Sequence, residues 1–548
     1  MLPGDSTSQR KARGAFFTPV PVARFLVDWA VRSPDDAVLE PSCGEAVFLH
    51  EVGRRGDHCG PLVGIELHDS SASESERSLR ASGIDATVHA VDFFAHSELR
   101  AYDAVVGNPP YVRYQAFAGE SRARAREAAL RAGVALSNLA SSWAAFTVHS
   151  ALHLRTGGRL GLVLPAELLT VNYAAGVRQY LIDHFRSVGL VLFHERVFPG
   201  VLEEVVLLLA DSYIPDGQRG DQRHMHLWQV RDAEGLAQLS ASRRWTPPSK
   251  GARWSAGLMS AAGMRAFDAV VGSDGFTRLE AWGDTTLGMV TGSNQFFTLS
   301  PAKAKALGLE ATDLISLSPP GSRHLRGLGL TEKELRQLGA SGQSTHLFRP
   351  ANEPSAAAWS YIQSGEDLDV HQAYKCRVRT PWWRVPYLRP ADLFLTYMNA
   401  DTPRLTSNGA RAHHLNSVHG VYLRDGLKAD GMSLLPIASL NSITLLGAET
   451  VGRAYGGGML KIEPREADHL PVPSPSLVRR SADDLRRIRP AVAAQLCAGR
   501  LLDAVALVDE VLLTGAMGLN RKRLQAIRQD RADLSARRIA RGKTNGGK

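Results

Sequence analysis

The chain has 548 residues, 44% of them hydrophobic and 22% charged, which excludes a low-complexity or collagen-like polymer and asks for two or three globular domains. A net charge of +9 favours a polyanionic partner without naming one. The four cysteines (Cys43, Cys59, Cys376 and Cys497) lack any CxxC or Cys/His spacing, Met1–Arg13 lacks an apolar signal-peptide core, and no apolar run nears the roughly 18 residues that cross a bilayer. No metal and no membrane are therefore expected, and a cytoplasmic location fits.

Residues 1–212 read as alternating strands and helices. Short apolar runs at Ala37–Leu39, Leu62–Ile65, Ala104–Val106, Leu160–Leu164, Val188–Phe193 and Val205–Leu209 look like buried strands. Pro21–Val31 and Ser142–Leu154 carry helical spacing between them. That alternation predicts an α/β fold, a mostly parallel sheet with crossover helices.

Three loops at predicted strand ends carry candidate chemistry. After the first strand comes Glu40-Pro41-Ser42-Cys43-Gly44, a small-residue turn that lets backbone approach a ligand closely. Glu66 ends the second strand roughly 20 residues on, where a carboxylate can take ribose hydroxyls. Asp92-Phe93 follows a third short strand and offers an acceptor and a ring to a purine, though each acidic residue alone also reads as a solvated loop carboxylate.

The strongest local signal is Asp103–Tyr111, a strand running into Asn108-Pro109-Pro110-Tyr111. The prolines fix φ and remove N–H donors, so the turn is rigid and its carbonyls are left to accept. The Asn108 side-chain oxygen and the Pro109 carbonyl can take both hydrogens of an exocyclic amino group. The Tyr111 ring can stack on the base that bears it. As an isolated string, the same residues also describe a tight turn with a surface aromatic. The following segment, 112–133, is arginine-rich (Arg113, Arg122, Arg124, Arg126, Arg131) and is expected to be a mobile, DNA-facing loop.

Beyond residue 212 the texture changes, with breaks at Gln218–Arg223 and Thr246–Gly251. Residues 213–475 are expected to form a second, mixed α+β unit, and 476–548 a helical basic segment with Ala491–Leu513 apolar at helical spacing. Its last 28 residues hold ten Lys/Arg against two Asp, which reads either as a solvated helix end or as a phosphate-contacting arm.

In order and spacing these motifs resemble the gamma class of DNA adenine-N6 methyltransferases, the N-6 DNA methylases of restriction–modification and related defence systems. Gly14–Pro19 resembles their N-terminal motif, Glu40–Gly44 the glycine loop, Glu66 the ribose carboxylate, and Asp92-Phe93 the adenine-side pair. Ser137–Leu139 with Phe146 is similar to the next helix, and Val197–Gly200 to the motif whose phenylalanine, here Phe198, packs on a flipped base. Tyr455–Pro464, Leu470–Pro473, Thr291–Phe297 and Lys375–Arg384 are similar to parts of recognition domains.

The resemblance implies a class I S-adenosylmethionine-dependent (Rossmann-like) methyltransferase domain followed by a target-recognition domain. Thr18, Glu40, Pro41, Ser42, Cys43, Gly44, Glu66, Asp92, Phe93, Asn108 and Phe146 would hold the cofactor, with Thr18 near its methionine end. Asn108, Pro109, Pro110, Tyr111 and Phe198 would hold a flipped adenine, since a stacked base cannot present its amino group. Double-stranded DNA is the implied partner, together with a cognate restriction endonuclease or another defence component. Candidate DNA contacts are Arg113, Arg377, Arg379, Trp382, Trp383 and Arg384. Asn294 and Gln295 are further candidates as adenine readers, although as isolated residues they read more readily as ordinary turn residues. N4-cytosine transfer, RNA guanine-N2 transfer and protein glutamine transfer use the same turn and stay open; a non-enzymatic DNA-binding subunit is disfavoured by the intact Asn108–Tyr111 and Glu66.

Overall fold

The computed structural model describes residues 18–542 except 113–118, 139, 194, 196, 199–204, 218–223, 240–241, 248–250 and 252. It contains two compact units, one of residues up to Leu258 and one of Met259–Ile539.

In the first unit, helix α1 (Val20–Ala30) starts on Pro21 and buries Val22, Ala23, Leu26, Val27 and Ala30 along one face. Then follow β1 (Val38–Pro41), α2 (Val47–Gly53), β2 (Leu62–Glu66), α3 (Asp69–Ala81), β3 (Thr87–Ala90) and β4 (Tyr102–Gly107). Next come α4 (Gly119–Arg131), α5 (Ser142–Leu152), β5 (Leu154–Pro165), α6 (Ala175–His184), β6 (Phe185–Phe193), β7 (Val205–Tyr213), β8 (Met225–Val230) and β9 (Arg243–Trp245).

The nine strands form one sheet in the order β3-β2-β1-β4-β5-β7-β6-β8-β9. The run β3-β2-β1-β4-β5 is parallel, and β7 enters antiparallel between β5 and β6. Every residue of β1 is buried, as are Leu160 to Pro165 of β5, so both faces of the central sheet are covered, as parallel strands require. The expected mostly parallel α/β sheet is therefore present. Chain order reverses between β1 and its neighbours β2 and β4, which opens a crevice at their carboxyl ends.

Two expectations are corrected here. The division between units falls at Leu258 rather than at 212, because β8 and β9 extend the first sheet instead of opening a second one. Residues 119–131 are a helix, not a mobile loop. Alanines 125, 128 and 129 bury one face of α4 while its arginines occupy the other.

The second unit holds a five-stranded sheet, in the order Gly283–Leu287, Val418–Leu423, Leu393–Thr396, Leu405–Asn408 and Gly329–Leu330. A three-stranded sheet is centred on His346–Phe348. Residues 476–539 have no unit of their own: the helices Ala482–Cys497, Leu501–Asp509 and most of Arg521–Gly542 belong to this one. The apolar stretch expected at 491–513 is broken at Gly499, whose φ of 72° ends the first helix. Among the described residues no single helix is long and apolar enough to cross a membrane.

Asp509 ties the second unit together. Its buried carboxylate accepts from the Ser442 backbone N–H (2.8 Å) and hydroxyl (2.6 Å) at the start of the helix Ser442–Val451, and from Arg528 Nη2 (2.7 Å). Asp509→Ala leaves the Ser442 donors without an acceptor. It is expected to cost about 3–5 kcal/mol, read as a lower urea midpoint for this unit; a loss within 0.5 kcal/mol would mean the contacts are dispensable.

Candidate functional site

The crevice is lined by the loops that leave β1, β2, β3 and β4. After β1 the backbone turns through three left-handed residues, Ser42 (φ 59°), Gly44 (φ 54°) and Ala46 (φ 54°). Only glycine adopts this region freely; Ser42 and Ala46 store strain of order 1–3 kcal/mol each, held by their surroundings.

Neighbouring elements hold this loop in place. Cys43 N–H donates to the Ile65 carbonyl (2.8 Å), Gly44 N–H to Glu66 Oε2 (3.0 Å), and the Ser75 hydroxyl to the Gly44 carbonyl. Glu66 Oε1 accepts from His68 N–H (3.2 Å). Each oxygen keeps acceptor capacity for a further hydroxyl, as ribose recognition needs. Cys43 is buried, and a Cβ on Gly64 would stand 3.1 Å from its Sγ. Gly107 plays the same part between β4 and β1, where a Cβ would lie 3.3 Å from Pro41 Cδ.

Glu40 does something other than expected. It is buried beneath the loop, and its Oε2 accepts from Leu49 N–H (3.0 Å), with Phe48 N–H beside it, at the first turn of α2. It therefore caps that helix rather than facing the crevice.

The wall beyond β3 is apolar. Asp92 Oδ1 accepts from Phe94 N–H (3.0 Å), and Oδ2 lies 3.5 Å from Arg124 Nη1 on α4. The Phe93 ring stacks on Phe146 (5.2 Å between centroids) and packs against His149 (4.7 Å) and His153 (5.0 Å). Burial pushes these imidazoles down to about 3 and about 4, so they stay neutral and the wall carries no charge.

At the end of β4, Asn108 Nδ2 donates to Thr18 Oγ1 (3.2 Å). The Tyr111 hydroxyl lies 2.9 Å from Asn108 Oδ1 and 3.0 Å from the Val163 carbonyl oxygen. Pro109 is buried. The Ser142 hydroxyl donates to the Pro110 carbonyl and accepts from Val112 N–H (2.9 Å), while Ser142 N–H donates to the Val112 carbonyl (3.1 Å). Ser142 thus clamps the far side of the turn to the start of α5. Phe198, 4% exposed, lies in the apolar cluster against which Tyr111 also packs.

The motif residues are thus brought together, with Thr18 beside Asn108 rather than apart from it. Pro41–Gly44 leave the end of β1, Glu66 ends β2 and bonds Gly44, and Asp92 and Phe93 follow β3 with Phe146 stacked on Phe93. Sequence reasoning missed Ser142 and Ser75, whose contacts are tertiary, and Ala46, whose left-handed backbone an alanine does not announce; a serine at the predicted start of α5 was the only signal.

The candidate DNA contacts divide. Gln295 and Arg377 are exposed; Asn294, also exposed, accepts from the Thr291 hydroxyl (2.6 Å). Three others are engaged in the second unit's own packing. Trp383 is 5% exposed in its core, and Arg379 donates to the Thr291 carbonyl (2.7 Å) and to that of Val290. Trp382 Nε1 donates to Glu366 (3.0 Å) with its ring against Phe296. Arg384 lies over the Trp383 ring (5.1 Å) and donates to Asn352 (2.6 Å). Arg113, Pro199, Gly200 and the motif residues 14–17 lie outside the described residues.

Comparison with known proteins adds a family to this geometry. Residues 4–212 match the family described as N-6 DNA Methylase. Residues 251–513 match the C-terminal domain of the type II methyltransferase M.Eco57I. The type II methyltransferase M.XamI of Xanthomonas campestris pv. amaranthicola is 26% identical over 484 residues, covering 84% of this chain and 85% of that one. M.AccI of Acinetobacter calcoaceticus is 23% identical over 472 residues, with the same coverage. Among solved structures, the DrdV–DNA complex aligns with 89% of this chain and 58% of that one at 11% identity and a TM-score of 0.47.

Burial pushes the Glu40 carboxyl up to about 8, against an ordinary 4.5. The folded state holds this proton and the unfolded state does not, so the contribution is full below pH 4.5 and is lost as pH rises through 8. Glu40→Gln removes the dependence. Relative to wild type its unfolding free energy is expected to rise between pH 5 and 8 by up to about 1.4 kcal/mol per pH unit; a pH-independent difference would show that Glu40 is ionised in the fold.

Proposed function

We propose that this chain, which belongs to the N-6 DNA methylases of restriction–modification systems, methylates the N6 amino group of an adenine flipped out of double-stranded DNA. Its product would protect host DNA in the cytoplasm against a cognate restriction endonuclease, the partner we assign to it. The observation that carries the reading is the Asn108–Tyr111 turn at the carboxyl end of β4, beside the crevice bounded by Gly44 and Glu66.

S-adenosylmethionine, when bound, supplies a methyl group made electrophilic by the adjacent sulfonium. The residues present fit it: a tight small-residue turn at Ser42–Ala46 that keeps side-chain bulk away from the end of β1, a carboxylate at Glu66 with acceptor capacity left, and an uncharged aromatic wall at Phe93 and Phe146. Asp92 stands beside that wall as an acceptor for an amino group.

The adenine amino nitrogen is a weak nucleophile because its lone pair is shared with the ring. Asn108 Oδ1 and the Pro109 carbonyl, accepting its two hydrogens, draw it toward a tetrahedral geometry and aim the pair at the methyl carbon. Pro110's carbonyl is already taken by Ser142, which leaves the Pro109 carbonyl as the backbone acceptor of the turn. Tyr111's hydroxyl holds the place at Oδ1 that the base amino group would take, so base entry displaces it. Much of the rate then comes from alignment and from dipoles fixed in advance, with no strong base required.

The second unit is assigned to target recognition, with Asn294, Gln295, Arg377 and Arg384 as the residues placed to meet DNA. Asn108→Ala is expected to keep cofactor affinity within a few fold while lowering methyl incorporation into DNA by about 10²- to 10³-fold, measured with labelled cofactor under single-turnover conditions. Activity within tenfold of wild type would remove Asn108 from the chemistry.

A further inference from the structure

An asparagine amide has two ends of almost equal shape and opposite hydrogen-bonding character. Packing cannot choose between them; only hydrogen bonds can. A catalytic turn that must accept from an amino group works only if Oδ1, not Nδ2, faces that group. With the amide turned over, two donors would meet, and the site would repel the group it has to hold.

In this chain Nδ2 of Asn108 is taken by Thr18 Oγ1 at 3.2 Å. Thr18 is itself buried and stands immediately before α1. Its position is not free to drift. The Pro19 carbonyl receives Val22 N–H (2.9 Å) and Ala23 N–H (3.1 Å), so the residue after Thr18 is bonded into the first turn of the helix. That helix buries Val22, Leu26 and Val27 in the same apolar cluster as Val38 of β1 and Ala104 and Val106 of β4. Thr18 and Asn108 are therefore mounted on one rigid body, 90 residues apart in sequence. On the opposite end of the amide, Oδ1 is met by the Tyr111 hydroxyl at 2.9 Å, a donor.

We propose that Thr18 is a positioning residue for Asn108: its hydroxyl oxygen, by accepting from Nδ2, fixes the sense of the amide so that Oδ1 faces the substrate amino group. This rests on the methyltransferase reading above and adds a role for Thr18 separate from holding the cofactor. The hydroxyl is what matters, not the bulk of the side chain. Valine fills the same volume without an acceptor, and serine keeps the acceptor while losing a methyl group.

The test compares wild type, Thr18→Val and Thr18→Ser in the full-length chain, with kcat and KM for S-adenosylmethionine measured on duplex DNA, and binding of the cofactor measured separately. Thr18→Val is expected to lower kcat at saturating cofactor roughly 10- to 100-fold, the scale of a misplaced catalytic group, with any loss of cofactor affinity read separately in KM and Kd. Thr18→Ser is expected to restore kcat to within about threefold of wild type. A rise in cofactor KM with kcat unchanged would place Thr18 on the cofactor alone and overturn the proposal. So would an equal loss in both variants, which would assign the effect to shape. Wild type that transfers no methyl group to DNA would instead overturn the functional reading, and this inference with it.

Discussion

The site depends on a side-chain amide held at both ends. Asn108 lies between an acceptor, Thr18 Oγ1, and a donor, the Tyr111 hydroxyl, at the tip of a buried strand. Everything around it limits motion. Two prolines fix the backbone, Ser142 grips the turn from the far side, and Gly107 lets β4 approach Pro41 of β1. A group that works by accepting two hydrogens in a set direction gains most when the fold, not the substrate, determines that direction.

The same economy governs the other half of the crevice. Glu66 is held by two backbone N–H groups, one from its own loop and one from the glycine loop, so a single buried carboxylate joins the loop after β1 to the end of β2. Strained left-handed backbone at Ser42 and Ala46 persists because Cys43, Ser75 and Glu66 fix the residues between and beside them. The uncharged wall of Phe93, Phe146, His149 and His153 follows from burial, which keeps both imidazoles neutral.

Much of this was legible in the sequence because it is local. A strand followed by Asn-Pro-Pro-Tyr, a carboxylate ending a strand two before it, and a small-residue turn can be seen without a partner, and their order supplied the fold class. What was not legible depends on contacts distant in sequence. Ser142 is an ordinary serine until it meets Pro110 and Val112, 32 and 30 residues earlier. Glu40 belongs to the glycine-loop string but turns inward to cap α2. The Lys375–Arg384 string, rich in arginine and tryptophan, has the composition of a DNA surface. Yet Cys376 and Trp383 are buried and Arg379 is spent on backbone carbonyls. Composition records which groups are present; only the fold assigns them to inside or outside. The limit expected at residue 212 failed for a related reason, since β8 joins β6 across a connection that carries no periodic signal.

Asn108 and the Pro109 carbonyl would accept equally from adenine N6 or cytosine N4, so the identity of the methylated base is the most direct check on how the crevice is used. Duplex DNA treated with the purified chain and labelled S-adenosylmethionine can be digested to nucleosides and separated. The account predicts label in N6-methyldeoxyadenosine alone, at a defined sequence. Label in N4-methyldeoxycytidine, or in protein or RNA but not in DNA, would contradict it.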